Sequence, residues 1–527
     1  MIEKSAKMTS VANEVLPFSE NMAAIDVGSN GIRMIVASVG SNGETTTLES
    51  VRESVRLGKD VFTKGYNTEE TTEAALEAFL KFRKLLYKYG VKKVRAVATS
   101  ALREAENADI FIDRILQATD IEIQVISPQE EARLIALAVG KVVNLKGKSA
   151  LLIDIGGGSV EMTFVEDGKI TTAESFNSGT VRLLEKLHEN KVNEERFGRL
   201  VRDYVDVAKQ RIQKEIKKRR LDLCIGTGGN VEALGDLRKL FFGKDNRSIT
   251  KSELEVVLEK LQALTVAERM TQLGLRPDRA DVIVPAAIVL QKLLKQAGAD
   301  ELLIPRVGLK DGALLELVPQ PPLDKRMGRY EQVLASAIQV GRKYFFDEEH
   351  AKTVASFALQ IFDSLQDLHG LKEDSRMILE TASLLHDIGH FIHMAGHHKH
   401  SYYIINATPI FGLSDREKSL VANVARYHRK SPPSLDHENY RSLSSKDRVV
   451  VSKLSAILRI AEALDVEHAQ RVKKVDIEYK HPMFFLKLQG EGELLLEKWA
   501  LKKRTASGVF EDTFGIKIIV NGEKETA

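Results

Sequence analysis

The runs Asp26-Val-Gly-Ser-Asn30 and Asp154-Ile-Gly-Gly-Gly-Ser159 decide the fold of this chain. Each ends an apolar segment that the pattern predicts to be a strand. Each then turns on residues small enough for backbone N–H groups to approach a phosphate closely. A third turn, Gly226-Thr-Gly-Gly-Asn230, follows another apolar segment and opens a helix. Together the turns predict a duplicated phosphate clamp.

The chain repeats this plan twice. From residue 21 the patterns predict strands at 22–27, 33–38, 49–56, 94–99 and 121–126 and helices at 69–89, 107–118 and 129–139. The plan then restarts, with strands at 149–155, 161–166, 169–176 and 221–225 and helices at 180–189 and 193–218. Such a repeat would place the turns face to face across a cleft. The expected fold therefore resembles the duplicated α/β, actin-like (ribonuclease H-like) two-lobe architecture.

A different domain is predicted after Pro319, Pro321 and Pro322, because closely spaced prolines interrupt both helices and strand ladders. Residues 324–470 are helical in pattern, and 9 of the 13 histidines lie between His350 and His428. The last segment predicts strands at 475–479, 484–488 and 516–520 around a helix at 494–503. The expected domains are a tail (1–20), lobe I (21–140), lobe II (141–318), an all-α domain (324–470) and a small α/β domain (471–527).

Composition restricts the class of protein. The 527 residues are 43% hydrophobic and 29% charged, with a net charge of +3, so no global field attracts a polyanion such as DNA. The single cysteine, Cys224, excludes an internal disulfide and favours a reducing compartment. No apolar run reaches the roughly 18 residues of a membrane span, and the first 20 residues lack a signal pattern. We expect a cytoplasmic protein with no membrane or DNA partner.

Five motifs occur in one order: residues 26–33, 99–103 (Thr-Ser-Ala-Leu-Arg), 127–133 (Ser-Pro-Gln-Glu-Glu-Ala-Arg), 154–161 and 226–230. With Arg279-Ala-Asp-Val-Ile283, this set resembles the exopolyphosphatase and guanosine pentaphosphate phosphohydrolase family. The resemblance covers residues 22–312 and implies hydrolysis of phosphoanhydrides. A Walker-type Gly-x-x-x-x-Gly-Lys-Ser/Thr motif is absent from the sequence, so a P-loop nucleotidase is not supported.

The resemblance implies roles for individual residues. Glu131 is the expected catalytic base, with Glu130 as the alternative, since adjacent helical residues point about 100° apart and only one can face a cleft directly. The phosphate-binding set is Ser29, Asn30, Arg33, Arg103, Gly156, Gly157, Gly158, Ser159, Gly228, Gly229 and Arg279. For Arg279 a salt bridge with Asp281 is the alternative. Asp26, Asp154 and Glu161 are expected to hold Mg²⁺, which favours oxygen ligands.

The helical domain carries a second set of motifs. His350, the pair His386-Asp387 and Asp465 have the order of the HD metal-dependent phosphohydrolase superfamily, and residues 384–389 (Leu-Leu-His-Asp-Ile-Gly) resemble its central motif. Imidazoles with carboxylates suit a divalent transition metal, here Mn, Fe, Co or Zn. His400 and His428 are expected to complete a two-metal site, whereas His390, His393, His397 and His398 are set aside.

The sequence thus predicts a Mg²⁺-dependent exopolyphosphatase that releases orthophosphate from inorganic polyphosphate, as a homodimer. Guanosine pentaphosphate is the alternative substrate. The alternative from another functional class is a sensor or scaffold protein that binds a nucleotide or polyphosphate without turnover. In that case the helical domain would provide signalling or a separate phosphodiesterase activity.

Overall fold

A computed structural model of the chain describes residues 20–40, 43–189, 221–318, 322–481 and 483–520. The predicted N-terminal tail up to residue 19 and the predicted helix at 193–218 lie outside the described residues. The chain divides into two compact units. The first comprises Met1–Gly168 and Thr172–Asp324, and the second comprises Lys169–Thr171 and Lys325–Ala527.

Lobe I of the first unit is a five-stranded sheet flanked by helices. Its strands, in the order β3-β2-β1-β4-β5, are β1 (Glu20–Gly28), β2 (Gly31–Val39), β3 (Thr45–Glu53), β4 (Lys93–Ala98) and β5 (Ile123–Val125). Its helices are α1 (Leu57–Lys64), α2 (Glu69–Lys88), α3 (Ser100–Glu104), α4 (Ala108–Thr119) and α5 (Pro128–Val142). The apolar faces of β1, β2 and α2 share one buried core, which includes Ile25, Met34 and Phe79.

Lobe II is a six-stranded sheet in the order β10-β11-β9-β6-β7-β8. Its strands are β6 (Ser149–Ile155), β7 (Val160–Glu166), β8 (Lys169–Phe176), β9 (Leu223–Thr227), β10 (Ser248–Thr250) and β11 (Glu301–Leu303). Its helices are α6 (Thr180–Glu189), α7 (Gly229–Phe242), α8 (Lys251–Gln262), α9 (Val266–Leu273), α10 (Pro277–Ala280), α11 (Ile283–Ala297) and α12 (Leu309–Leu317).

The two lobes repeat one pairing scheme around their glycine turns. In lobe I, β1 pairs antiparallel with β2 and parallel with β4, and Gly28 faces Gly31 across the turn. In lobe II, β6 pairs antiparallel with β7 and parallel with β9, and Ile155 faces Val160. Each lobe therefore presents a turn and the carboxyl end of a parallel strand at the same sheet edge.

The second unit is mainly helical, with a small sheet at its end. Its helices are α13 (Pro322–Lys343), α14 (Glu348–Ser364), α15 (Gln366–His369), α16 (Glu373–Leu385), the 3₁₀ helix Ile388–Phe391, α17 (His397–Ala407), α18 (Asp415–Arg426), α19 (Glu438–Arg441), α20 (Ser445–Ala463), α21 (Leu495–Ala506) and α22 (Val509–Phe514). Strands β12 (Val472–Lys480), β13 (Met483–Gly490) and β14 (Lys517–Val520) form its sheet, in which β13 and β14 run parallel. One apolar core joins the helices to this sheet.

The strand predicted at 49–56 is the main difference in lobe I. The observed strand β3 is Thr45–Glu53, and the chain leaves it before Arg56, which bonds Asp281 through both terminal nitrogens at 2.8 Å. Residues 45–48 are exposed, so no apolar pattern marks the start of this edge strand.

Within the described residues, no helix is both long and apolar enough to cross a bilayer.

Candidate functional site

The three glycine turns border a single cavity of about 560 Å³ in the first unit. The strand ends of both lobes meet here, because the turns lie at equivalent edges of the two sheets. Twelve of the predicted site residues line the cavity: Asp26, Ser29, Asn30, Arg33, Glu131, Asp154, Gly156, Gly157, Ser159, Gly228, Gly229 and Arg279. The predicted clamp therefore has its parts around one space.

Three carboxylates are concentrated beside this cavity. One oxygen each from Glu131, Asp154 and Glu161 lie within 4.8 Å of one another. Burial and the charge of Glu161 raise the pKa of Glu131 well above its usual value. Burial raises the pKa of Asp154 to about 6, and burial with the charge of Asp154 raises the pKa of Glu161 to about 7. Negative charges on three carboxylates that lie this close together and are buried away from water favour either a shared proton or a bound cation.

The start of α5 separates the two adjacent glutamates. Ser127 caps the helix by accepting from the Glu130 N–H, and Pro128 occupies its first turn. Glu130 then bonds Arg133 at 2.7 and 2.8 Å and Arg95 at 3.1 Å, outside the cavity. Glu131 is only 6% exposed and lines the cavity. The rotation between neighbouring helical positions thus sends one glutamate into an ion-pair network and the other into the cleft.

A cationic recess lies at the N-terminus of α7. Gly228 has a φ of +87°, and the chain then begins the helix. A Cβ built on Gly229 would lie 2.5 Å from Arg33 Nη2 and 2.7 Å from Arg279 Nη2, so glycine is needed for the two guanidinium groups to approach. Burial, with the charges of Arg33 and Arg52, lowers the pKa of Arg279 to about 9. An anion bound here would relieve that repulsion and would meet the positive end of the helix dipole.

Four predicted residues are not among the described residues that line the cavity: Glu130, Arg103, Gly158 and Glu161. Arg103 donates to the Ile126 carbonyl at 2.6 Å and lies 3.6 Å from Glu131 Oε2. Its guanidinium therefore approaches Glu131 without lining the cavity. Glu161 accepts from Ser175 Oγ at 3.0 Å.

The alternative role for Arg279, a salt bridge with Asp281, is not what the structure shows. Asp281 bonds Arg56, and Arg279 donates to the amide oxygen of Asn230. Sequence reasoning also missed four cationic residues that line the cavity, namely Arg52, Arg276, Arg306 and Lys310. Arg52 stands three residues beyond the start of the predicted third strand, and no local signal distinguishes it from an ordinary strand residue.

The second unit contains a cluster of imidazoles around Asp387. Oδ1 of Asp387 lies 3.1 Å from His397 Nε2 and 3.4 Å from His428 Nε2. Oδ2 lies 3.7 Å from Nε2 of His386 and of His468, and 3.9 Å from His350 Nε2. We call these five histidines and Asp387 the Asp387 cluster.

Each imidazole of the Asp387 cluster is oriented by an oxygen behind it. His386 Nδ1 and His428 Nδ1 each lie 2.7 Å from a backbone carbonyl, of Ser383 and Ala425 respectively. A carbonyl only accepts, so Nδ1 carries the proton and Nε2 turns its lone pair inward. Burial lowers the pKa of both rings, which keeps them neutral.

Carboxylates and a third carbonyl orient the remaining rings. Asp465 accepts from His350 Nδ1 at 2.9 Å, Asp347 accepts from His468 Nδ1 at 3.1 Å, and the Met394 carbonyl lies 3.1 Å from His397 Nδ1. In consequence Nε2 of His350 faces Nε2 of His386 at 3.3 Å, and Nε2 of His397 faces that of His428 at 3.3 Å. Such lone-pair contacts require a proton or a cation between them.

The cluster differs from the predicted set in its membership. The structure brings together His350, His386, Asp387 and His428, and it places Asp465 behind His350. Among the described residues, His400 is in none of the groups with metal-ligand spacing. His397, His390 and His468 are in such groups, although the first two are outside the set predicted from the sequence. His397 and His400 both lie on α17, and only packing decides which of them faces the cluster.

Comparison with known proteins identifies the family. Residues 35–321 match the Ppx/GppA phosphatase family, and residues 334–504 match its domain III. The chain belongs to the Ppx/GppA phosphatase family. A guanosine-5′-triphosphate,3′-diphosphate pyrophosphatase of Photobacterium profundum is 26% identical over 84% of this chain and 87% of its own length. The protein of that name from Vibrio vulnificus is 26% identical over 83% and 86%.

A solved structure supports the fold of the Ppx/GppA core. The exopolyphosphatase of Cytophaga hutchinsonii superposes with a TM-score of 0.53 and 29% identity, covering 57% of this chain and 99% of that one. The predicted family, its phosphatase class and the actin-like two-lobe fold are therefore confirmed. The helical domain that follows is present as predicted and coincides with domain III of the Ppx/GppA family.

Proposed function

We propose that the first unit hydrolyses the terminal phosphoanhydride bond of inorganic polyphosphate and releases orthophosphate. The observation that carries this proposal is the position of Glu131. It is buried at the wall of a cavity whose other walls are three glycine turns and the cationic recess at α7. Hydrolysis of an anhydride needs a base that orients water beside groups that hold the transferred phosphoryl group, and both lie around this cavity.

Each group in the cavity has a part in this reaction. Glu131, whose pKa is raised by burial and by the charge of Glu161, is the proposed base and orients the attacking water. Backbone N–H groups of the turns at residues 28–30, 156–159 and 228–230 cradle the terminal phosphates. Arg33 and Arg279 neutralise their charge at the α7 N-terminus. Arg103 positions Glu131 from behind, where its charge favours the ionised carboxylate.

The acidic residues fit Mg²⁺. Glu131 Oε2 and Glu161 Oε2 are buried and have no hydrogen-bond partner among the described residues. Asp154 and Glu161 are the proposed ligands, and Asp26 stands outside the group with metal-ligand spacing. When bound, Mg²⁺ would withdraw charge from the phosphoryl oxygens. Asp154 is held for this role by Thr227 Oγ1, which donates to it at 2.6 Å.

Guanosine pentaphosphate is the second substrate of the same chemistry. Two relatives carry the name of a pyrophosphatase for that nucleotide, whereas the solved neighbour is named an exopolyphosphatase. The cavity lining also includes Arg52, which pairs with Asp278, Arg306, which pairs with Asp236, and Arg276. Several cations around one cavity suit a chain of phosphates, so we favour polyphosphate. We further propose that the protein is a cytoplasmic homodimer.

A pair of adjacent substitutions tests the catalytic assignment. Glu131→Gln keeps the size of the side chain but removes the base, and phosphate release from polyphosphate should fall about 10²- to 10⁴-fold. Binding of the chain, measured by filter retention, should persist. Glu130→Gln is the matched control, and it should retain phosphate release within a few fold. Undiminished turnover in Glu131→Gln would refute the role of Glu131.

A second activity is favoured by the Asp387 cluster. We propose that this cluster is an HD-type centre for a divalent transition metal (Mn, Fe, Co or Zn) with phosphohydrolase activity. Five Nε2 atoms converge on one carboxylate, and the oxygens behind the rings fix their orientation, as at known metal sites. A bound metal would activate water at neutral pH. Asp387 lies between two groups of imidazoles and would be a ligand together with either group.

Elemental analysis of purified protein tests the metal centre. The wild-type protein should contain at least one transition metal ion per chain, and Asp387→Ala should lose it because both halves of the cluster depend on that carboxylate. His400→Ala is the matched control on α17 and should retain the metal. A metal-free wild type, or a loss of metal in His400→Ala, would contradict the assignment.

A further inference from the structure

Asn230 is a buried amide between the second and third glycine turns. It is 3% exposed, lies in the first turn of α7 and borders the cavity of the first unit. Its Nδ2 lies 3.2 Å from the Ile155 carbonyl oxygen in the second turn and 3.2 Å from Thr180 Oγ1 at the start of α6. Thr180 in turn donates its backbone N–H to the Gly156 carbonyl at 3.1 Å. The Asn230 side chain therefore joins two of the turns that border the cavity.

These contacts fix the direction in which the Asn230 amide points. A carbonyl oxygen only accepts hydrogen bonds, so the NH₂ group of Asn230 faces Ile155 and its amide oxygen faces the other way. On that side, Asn230 Oδ1 accepts from Nη1 of Arg279. Asn230 thus holds one terminal nitrogen of the guanidinium in the cationic recess at the N-terminus of α7.

The backbone that carries Arg279 is held independently of Asn230. Arg279 lies on the short helix α10, and the buried Arg269 side chain of α9 donates to the Ala280 carbonyl of that helix at 3.2 Å. Arg269 also donates to the Leu261 carbonyl at 2.8 Å, so α10 is tied to the end of α8. Removing the Asn230 amide would therefore release the guanidinium of Arg279 and leave its helix in place.

The hydrogen-bond partner of Arg279 is a neutral group. Two acids flank Arg279 in the sequence, and both pair with other cations. Asp278 pairs with Arg52. Asp281 pairs with Arg56. An amide oxygen orients a guanidinium without cancelling its charge, whereas a carboxylate at the same place would do both. The recess therefore keeps the charge of Arg279 for an anion that enters the cavity.

We propose that Asn230 is a positioning residue for the terminal phosphates of the substrate, because it directs the Arg279 guanidinium at them and leaves its charge uncompensated. This inference rests on the proposed hydrolysis of polyphosphate in the first unit. Since Asn230 acts through Arg279, the effects of changing the two residues on polyphosphate affinity should not add. An amide with a merely structural role would lower stability, and its effect on affinity would be independent of Arg279.

Filter retention of polyphosphate by the full-length protein tests this coupling, in the Glu131→Gln background to slow hydrolysis of the bound chain. Asn230→Ala and Arg279→Gln should each weaken binding roughly 10- to 100-fold, the range of one hydrogen bond to a charged group. The double variant should bind about as weakly as Arg279→Gln alone. A loss in the double variant equal to the product of the two single losses would overturn the inference.

Asn230→Asp tests the contribution of charge separately. The aspartate keeps an oxygen beside Arg279 but adds a negative charge, so polyphosphate should bind at least as weakly as in Asn230→Ala. Wild-type affinity in Asn230→Asp would also overturn the inference. Thermal unfolding shows which variants are folded, and either substitution at 230 is decisive without the other.

Asn67→Ala is the matched control for loss of a buried amide. Asn67 is also 3% exposed and is not among the described residues that line the cavity, so polyphosphate affinity should stay unchanged. Release of phosphate by the protein with Glu131 intact separates the two proposals. If that protein releases no phosphate from polyphosphate, the proposed function is wrong. If it releases phosphate and the losses at Asn230 and Arg279 are independent, only this inference is wrong.

Discussion

Gly158, in the middle of the second glycine turn, contacts lobe I instead of facing the cavity. A Cβ built on Gly158 would lie 2.3 Å from Ser100 Oγ and 2.5 Å from Phe62 Cζ. Ser100 also bonds Ser29 Oγ at 3.0 Å, so the close approach links two of the glycine-turn regions. The close packing between the lobes at this position requires a glycine, whereas the motif predicts a phosphate-binding role for it.

A substitution at Gly158 should therefore act first on stability. Gly158→Ala should destabilise the first unit by about 1–3 kcal/mol, because the added methyl group must displace Ser100 or Phe62. Thermal unfolding measures this change. Gly140→Ala is the matched control, since its Cβ would meet only Leu145 at 3.8 Å and alanine is favoured inside a helix.

Ser100→Gly, combined with Gly158→Ala, should recover part of the loss by removing the side chain that clashes. If Gly158→Ala unfolds like the wild type and yet releases phosphate more slowly, then Gly158 serves the substrate directly and the packing role is wrong.

Among the helices and strands, the sequence predicts those whose caps and apolar pattern lie within the element itself or directly beside it. Helix α2 was predicted at 69–89 and is observed at Glu69–Lys88, because its cap Thr68 and its apolar stripe are both near in sequence. Helix α5 was predicted at 129–139 and is observed at Pro128–Val142, with Ser127 as its cap. By contrast, the short helices α1 and α3 carry no extended periodicity and were missed.

The pairing partner of a strand can lie far away in the sequence, so only the structure identifies it. The three strands predicted near the C-terminus exist as β12, β13 and β14, but nothing in their composition shows that β14 pairs parallel with β13. In the same way, the turn motifs predicted a clamp, while the cations Arg52 and Arg306 reach it from elements distant in sequence. Charged residues on strands and loops look alike until the fold gives them a common space.

At the scale of the whole molecule, the chain has separate cores for its two units. The first unit buries the sheets of both lobes, whereas the second buries its helices with the small sheet. Each unit has its own group of buried carboxylates or imidazoles. Compact units with their own cores commonly unfold as separate cooperative transitions.

Differential scanning calorimetry should resolve two transitions, only one of which depends on a transition metal. Phenanthroline, which removes transition metals, should lower the transition of the second unit in buffer that retains Mg²⁺. The physical reason is that chelation would remove the proposed cation from between the converging Nε2 lone pairs of the Asp387 cluster. A site saturated 100-fold above its dissociation constant contributes about 2.7 kcal/mol by mass action.

The transition of the first unit is identified as the one that Gly158→Ala lowers. Without phenanthroline, Asp387→Ala should already show the lowered transition of the second unit. Adding phenanthroline should not lower that transition further. Equal shifts of both transitions, or none, would mean that the cluster is stable without a metal ion.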